Sequence, residues 1–314
     1  MRVAVYGPGG VGGYVGARLA QAGVDVHLIG RGDHLRALRE HGLELRSVAG
    51  DAHVDLPATD DPDEVGACDV VLCCVKSFDT ADIAARLAPL LGDDGCVVSL
   101  QNGVDNEDVL ADAVGRDRVL GGVAYIFSTI AEPGVVEHTG GPTKIVFGEL
   151  DGRRSDRAER LLAACERAPE LAVELSEAIE IDIWEKAAFI CAQAGLTATT
   201  RLPLGDVREI DESWRMYRRV IEEVCAVADA RGVDLPGDTV DRWMDFAADL
   251  EADSYSSLHY DLTHDKPMEL EGLHGAVVRA GDEEKVDVPM TEAIYALLKP
   301  WAVRNERLAE EGTK

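Results

Sequence analysis

Residues 2–12 read RVAVYGPGGVG. A run of apolar strand character enters a glycine-rich turn, and the small residues of 10–22 continue as a helix. Gly7-Pro8-Gly9-Gly10-Val11-Gly12 fits G-x-G-x-x-G. With 31 glycines in the chain the pattern alone says little, and the strand before it and helix after it carry the weight. The first glycine permits the tight turn, the second lets backbone approach a pyrophosphate, and the third packs helix on strand. The helix N-terminus adds unpaired N–H donors. A glycine-rich turn without a ligand is the competing account.

Working outward, 24–29, 69–75 (DVVLCCV) and 95–101 (GCVVSLQ) read as further buried strands, the βαβ rhythm of a parallel sheet. Three segments within 119–148 extend that sheet, with an antiparallel edge expected, and 148–168 supplies a helix closing a first domain. After about residue 175 the pattern changes to long amphipathic stretches at 178–199, 212–231, 238–250, 252–264, 267–280 and 290–311, broken by Pro and Gly at 203–205, 232–237, 267 and 281. The expected architecture is α/β, with a Rossmann-type dinucleotide-binding domain over 1–174 and an all-helical substrate domain over 175–314.

Composition excludes several classes. Lys+Arg 31 against Asp+Glu 59 gives a net charge of −28, which argues against a nucleic-acid binder. No apolar run spans a membrane and no signal peptide opens the chain. Seven cysteines without a C-x-x-C pair argue against zinc or a disulfide framework, and the eight histidines show no metal-ligand spacing. A reduced, soluble, cytoplasmic, metal-free protein is expected, with no nucleic-acid or membrane partner. Only seven of the bases are lysine, and the acids are scattered over both halves; the composition suggests a halophilic-like acidic surface.

The second strand ends HLIGRGDHL (27–35). An NAD site places an acid here for the ribose 2′-OH, whereas Arg31 suits a 2′-phosphate, so NADP is favoured, with Asp33 close enough to keep NAD open. VKSFDT (75–80) puts Lys76, and QNGVDNE (101–107) puts Asn102-Gly103, just past strand ends where ligand contacts belong. A solvated loop lysine and an ordinary Asn-Gly turn are the plainer accounts. Trp184-Glu185-Lys186 falls on the helix that starts the second half.

In that order and at those separations, GPGGVG, VKSFDT, QNG, WEK, Thr197-Ala198 and Ser256-Ser257 followed by PMELEGLHG (267–275) resemble the ketopantoate reductase family. The resemblance implies a 6-phosphogluconate-dehydrogenase-like helical domain and NADPH-dependent reduction of the C2 ketone of 2-dehydropantoate, a step toward pantothenate and coenzyme A. Gly7, Pro8, Gly9, Gly10, Val11, Gly12, Arg31, Lys76, Asn102 and Glu269 then hold the cofactor. Lys186 is the catalytic lysine, and Lys186, Asn102 and Ser257 contact a small 2-oxo acid; a homodimer is compatible with it. Hydride arriving at a ketone leaves charge on oxygen, and a desolvated ammonium stabilises that charge and then donates the proton, which arginine does poorly. A surface lysine paired with an acid, a helix-start Glu269 and solvent-facing Ser256-Ser257 are the plainer accounts.

Three positions depart from the family. Asparagines are usual four and eight residues beyond the lysine and again before a later glycine, where this chain has Ile190, Ala194 and Leu204. Gln193, Arg201 or His259 then substitute for them, or the substrate is a more apolar 2-oxo acid. Ile190 also argues against a 3-hydroxyacid dehydrogenase. A non-catalytic NADP-sensing protein is the reading from another class. The acidic composition predicts that melting temperature and activity fall on dialysis from molar KCl into low salt; values unchanged by dialysis would refute a halophilic adaptation.

Overall fold

The computed structural model describes residues 1–312. In its first part β1 (Arg2–Tyr6), α1 (Gly10–Gln21), β2 (Asp25–Ile29), α2 (Gly32–His41), β3 (Leu43–Ser47), β4 (Ala52–Val54), β5 (Ala58–Thr59), β6 (Cys68–Cys73), α3 (Thr80–Ala84), β7 (Leu91–Ser99), α4 (Asn106–Val114), β8 (Val119–Glu132), β9 (Val135–Glu149), α5 (Asp156–Cys165) and β10 (Ala172–Leu175) follow in order. They build a ten-stranded sheet ordered β4-β3-β9-β8-β7-β6-β1-β2-β5, with β10 also on β9. The strands from β5 to β8 pair in parallel, β8 pairs antiparallel with β9, and β3 pairs antiparallel with β4.

Alternation along each strand fills both faces of the sheet. Val3, Val5, Val70 and Leu72 join Tyr14, Val15 and Leu19 of α1 in one cluster. Ala4, Tyr6, Val71 and Cys73 join Ile83 and Leu87, with Leu110 of α4, in the other. A strand buried on both faces loses its polar positions, which is why these segments read as unbroken apolar runs. β1 has β2 on one side and β6 on the other, so the chain reverses its direction of winding there, and the glycine turn sits at the carboxyl end of that strand.

The sheet differs from the sequence reading in four places. The three segments of 119–148 are two long strands, because Gly121-Gly122 and Gly140-Gly141 run within β8 and β9 instead of ending them. That antiparallel pair lies inside the sheet, while the antiparallel edge is β4 on β3. α5, capped by Ser155, does not close the domain: β10 follows it and pairs with β9 through Ala172↔Lys144 to Leu175↔Phe147. The short α2, β3, β4 and β5 carry too little periodicity to be read beforehand.

Two compact units result, one of residues 1–101 and 106–182, the other of 102–105 with the described residues from 183 onward. The division at 182/183 lies in the first turn of the next helix, eight residues beyond the expected 174/175, because β10 stays with its sheet. The remaining helices are α6 (Ile179–Thr200), α7 (Leu204–Arg208), α8 (Asp211–Ala230), α9 (Thr239–Asp249), α10 (Ser257–Thr263), α11 (Ala276–Glu284) and α12 (Pro289–Gly312). The 252–264 stretch is helical only from Ser257, since Ser256 caps it by accepting from the His259 N–H. The 267–280 stretch does not start as a helix at Pro267; a π-turn over Glu271–Gly275 leads into α11 instead. Gly281 lies inside α11, which ends at Lys285 in the left-handed conformation (φ 60°).

One buried ion pair braces the first unit. Arg157 donates through Nε and Nη2 to both oxygens of Glu149 (2.8 and 2.7 Å), whose side chain is only 3% exposed. Breaking a buried pair from one side costs about 3–5 kcal/mol, because the other charge is left desolvated. Arg157→Ala should therefore lower the melting temperature sharply in thermal unfolding. Replacing Arg157 and Glu149 together by leucine should recover most of that loss.

Candidate active site

The first unit carries the glycine turn. Gly7 has φ +90°, and a Cβ on it would meet the Val75 nitrogen at 2.7 Å, so this turn requires glycine. A Cβ on Gly10 would strike the Ser128 carbonyl at 2.2 Å, and one on Gly12 the Gly7 carbonyl at 2.3 Å. These glycines pack helix and turn against strands. Gly9 differs, since a Cβ there would meet nothing within 4 Å. It is the N-cap of α1, supplies no side-chain cap, and is followed by a first turn with no acidic residue. Open space over uncapped N–H donors is what a pyrophosphate needs, so the residues present fit a dinucleotide.

His34 holds this turn from behind. Its Nε2 donates to the Pro8 carbonyl (2.9 Å) and its Nδ1 accepts from the Gly134 N–H (3.0 Å), which fixes a neutral tautomer. Burial lowers its pKa in the same direction. Arg31 is the N-cap of α2 and donates to Asp79 Oδ2 at 2.7 Å. Asp33, the residue that kept NAD open, is instead paired with Arg36 (2.8 Å). Lys76, half-buried, is the N-cap of a short 3-10 turn, Ser77–Asp79, after β6.

Behind Lys76 lies a buried polar network that the sequence did not reveal. Gln101 donates to the Val75 carbonyl (3.0 Å) and to Thr80 Oγ1 (2.7 Å), and accepts from Cys73 Sγ (3.1 Å). Thr80 in turn donates to Asn106 Oδ1 (3.2 Å). The network ties the carboxyl end of β6 to both ends of the 102–105 loop. Satisfied buried polar groups of this kind fix one local geometry.

The second unit gathers three of the residues singled out. Lys186, on α6 and 9% exposed, donates from Nζ to Asn102 Oδ1 at 2.8 Å. Burial pulls its ammonium from the ordinary lysine value down to about 8, against the opposing pull of the Glu269 carboxylate, itself buried. Gly103, with φ +119°, turns the chain immediately after Asn102. At the far end of this loop Arg279 donates to Asp105 Oδ2 (3.1 Å) and to Glu271 Oε2 (3.2 Å).

The π-turn registers Glu269 against α6. His274, fully buried, donates from Nε2 to the Cys191 carbonyl (2.9 Å), and burial holds its pKa at about 4. Gly195 admits that ring, since a Cβ there would lie 2.7 Å from Nε2. Neither His274 nor Arg279 was legible beforehand, because their partners lie 83 and 174 residues away.

Ser257 occupies the first turn of α10 and is exposed, while Ser256 takes the cap and meets Thr197 Oγ1 at 2.8 Å. Of the candidate substitutes for the missing asparagines, Gln193 is engaged by the Tyr217 hydroxyl (3.3 Å). Arg201 lies over the Trp301 ring (4.3 Å), and His259 stacks on Tyr255 (4.2 Å). Ile190 is half-buried, and Ala194 and Leu204 are buried. Among the described residues no cluster of three His, Cys, Asp or Glu is placed to hold a metal, and no helix is long and apolar enough to cross a membrane.

Comparison with known proteins matches residues 3–152 to the family model described as ketopantoate reductase PanE/ApbA, and residues 178–302 to its C-terminal model. The chain is 34% identical to 2-dehydropantoate 2-reductase of Halobacterium salinarum over 95% of its length and 98% of the relative's. It is 30% identical, over the same shares, to the uncharacterized oxidoreductase YkpB of Bacillus subtilis. The crystal structure of a PanE/ApbA family ketopantoate reductase from Ralstonia eutropha superposes with a TM-score of 0.89 at 35% identity, covering 98% of this chain and 100% of that one.

The glycines predict two different failures. Gly12→Ala should lower the melting temperature, by about 1–3 kcal/mol of overpacking. Gly9→Val should leave unfolding unchanged while weakening dinucleotide binding in a fluorescence titration.

Proposed function

The chain belongs to the ketopantoate reductase family, and on that premise we propose that it reduces the C2 ketone of 2-dehydropantoate to pantoate with NADPH, a step toward pantothenate and coenzyme A. Oxidoreductase chemistry with a nicotinamide dinucleotide is the family's activity. The observation that carries the finer reading is the buried Lys186 ammonium, lowered to about 8 and hydrogen-bonded to Asn102. The nicotinamide supplies the hydride. Gly9 and the open N-terminus of α1 would hold the pyrophosphate, Arg31 would meet a 2′-phosphate, and Lys76 would contact the dinucleotide.

Lys186 holds its positive charge where the carbonyl oxygen becomes an alkoxide, and then gives up the proton from Nζ. A donor near pH 8 is still charged at neutral pH yet releases a proton far more readily than an exposed lysine. Asn102 Oδ1 orients the ammonium, and Glu269 keeps it from losing its proton too early. Both act on the charged form.

Ile190 and Ala194 support a second reading, in which the substrate is a more apolar 2-oxo acid. The two assays differ only in the substrate. Loss of NADPH absorbance should follow addition of 2-dehydropantoate, and Lys186→Ala should lower kcat by about 10²–10⁴-fold. No turnover of 2-dehydropantoate, with turnover of 2-oxo acids bearing apolar side chains, would favour the second reading. No turnover of any 2-oxo acid by protein that binds NADPH would point to a sensor.

The pH profile tests the role of Lys186 separately. The protonated form is the donor, so kcat for reduction should be level below pH 8 and fall above it. Glu269→Gln removes the influence that raises the lysine pKa, so the alkaline fall should move to lower pH. A fall that stays in place would exclude Lys186 as the titrating group.

A further inference from the structure

The Arg31–Asp79 pair lies at the carboxyl ends of the strands beside the glycine turn. Arg31 follows β2, and Asp79 ends the turn that follows β6; β1 runs between those two strands. Asp79 is 20% exposed, whereas the Arg31 side chain is 78% exposed and reaches in to it at 2.7 Å. The carboxylate has no local duty: it makes no cap bond to α3, at whose N-terminus it stands, and the guanidinium is the partner the geometry gives it. Nearby, Arg86 is occupied by Asp61 (2.9 Å). Arg31, the residue assigned to a 2′-phosphate, is therefore already engaged by a carboxylate.

We propose that Asp79 is a specificity-determining residue for the cofactor: it competes with the 2′-phosphate of NADPH for Arg31 and so narrows the preference for NADPH over NADH. The inference rests on the assignment of Arg31 to the 2′-phosphate. A phosphate must displace the carboxylate from the guanidinium and then sit beside its negative charge. NADH, which carries a 2′-hydroxyl there, meets neither cost. An acid that serves the ribose hydroxyl usually comes from the end of the second strand. Here the second strand ends in the arginine, and the acid comes from the loop after β6.

Equilibrium dissociation constants for NADPH and NADH, read from nucleotide fluorescence without substrate, test this on the full chain. In Asp79→Asn the NADPH constant should fall about fivefold, the scale of one exposed charge pair, with NADH changed less than twofold. In Arg31→Ala the NADPH constant should rise, and adding Asp79→Asn to that variant should no longer tighten NADPH. Asp79→Asn that leaves NADPH binding unchanged or weakens it, with Arg31→Ala still weakening it, would overturn the competition and leave the Arg31 assignment standing. Arg31→Ala that binds NADPH as tightly as the parent would overturn the assignment itself and the proposal with it. Asp79→Ala, with circular dichroism matching the parent, repeats the test without an amide in the carboxylate's place.

Discussion

A lysine ammonium kept away from water is the constraint around which the second unit is arranged. Desolvation lowers the pKa of Lys186, and the Glu269 carboxylate opposes that pull. Asn102 comes from a loop whose first neighbour, Gln101, is locked by four hydrogen bonds, and whose last residue, Asp105, is gripped by Arg279. Glu269 enters from a segment registered on α6 by His274 through the Cys191 carbonyl. Three stretches far apart in the chain therefore converge on one buried ammonium.

The dinucleotide half follows a different logic, in which omission of side chains makes the site. Gly7, Gly10 and Gly12 are needed because backbone lies within 3 Å of where their Cβ atoms would be, whereas Gly9 faces open space. The same motif thus contains packing glycines and one that faces open space, which the spacing alone does not distinguish. His34 adds a neutral brace to the turn, and its two partners leave the ring no room for a second proton.

Much of this was legible in the sequence because local periodicity and local turns encode it. RVAVYGPGGVG specified strand, turn and helix over contiguous residues, and Lys186, Asn102 and Glu269, singled out by their motifs, interact with one another in the second unit. What was hidden depends on contacts distant in sequence. β10 is four residues beside a helix, and only pairing with β9 identifies it, which is why the unit boundary moved. The partnership of Arg31 with Asp79 spans 48 residues, beyond the reach of local periodicity. Leu204 and the exposed Ser257 show the reverse case, motif positions whose environment the spacing did not convey.

The ends of the sheet carry a consequence of their own. β4, β5 and β10, which terminate its pairing, are three, two and four residues long. An open sheet of ten strands would ordinarily expose long rows of unpaired backbone groups, templates for pairing with another molecule. Here β9 spends its outer side on β3 along one stretch and on β10 along another, so the last strands at the margins are short. The fold thereby carries its own protection against strand-mediated aggregation, independent of the acidic surface, and keeps it where salt has screened the repulsion between copies.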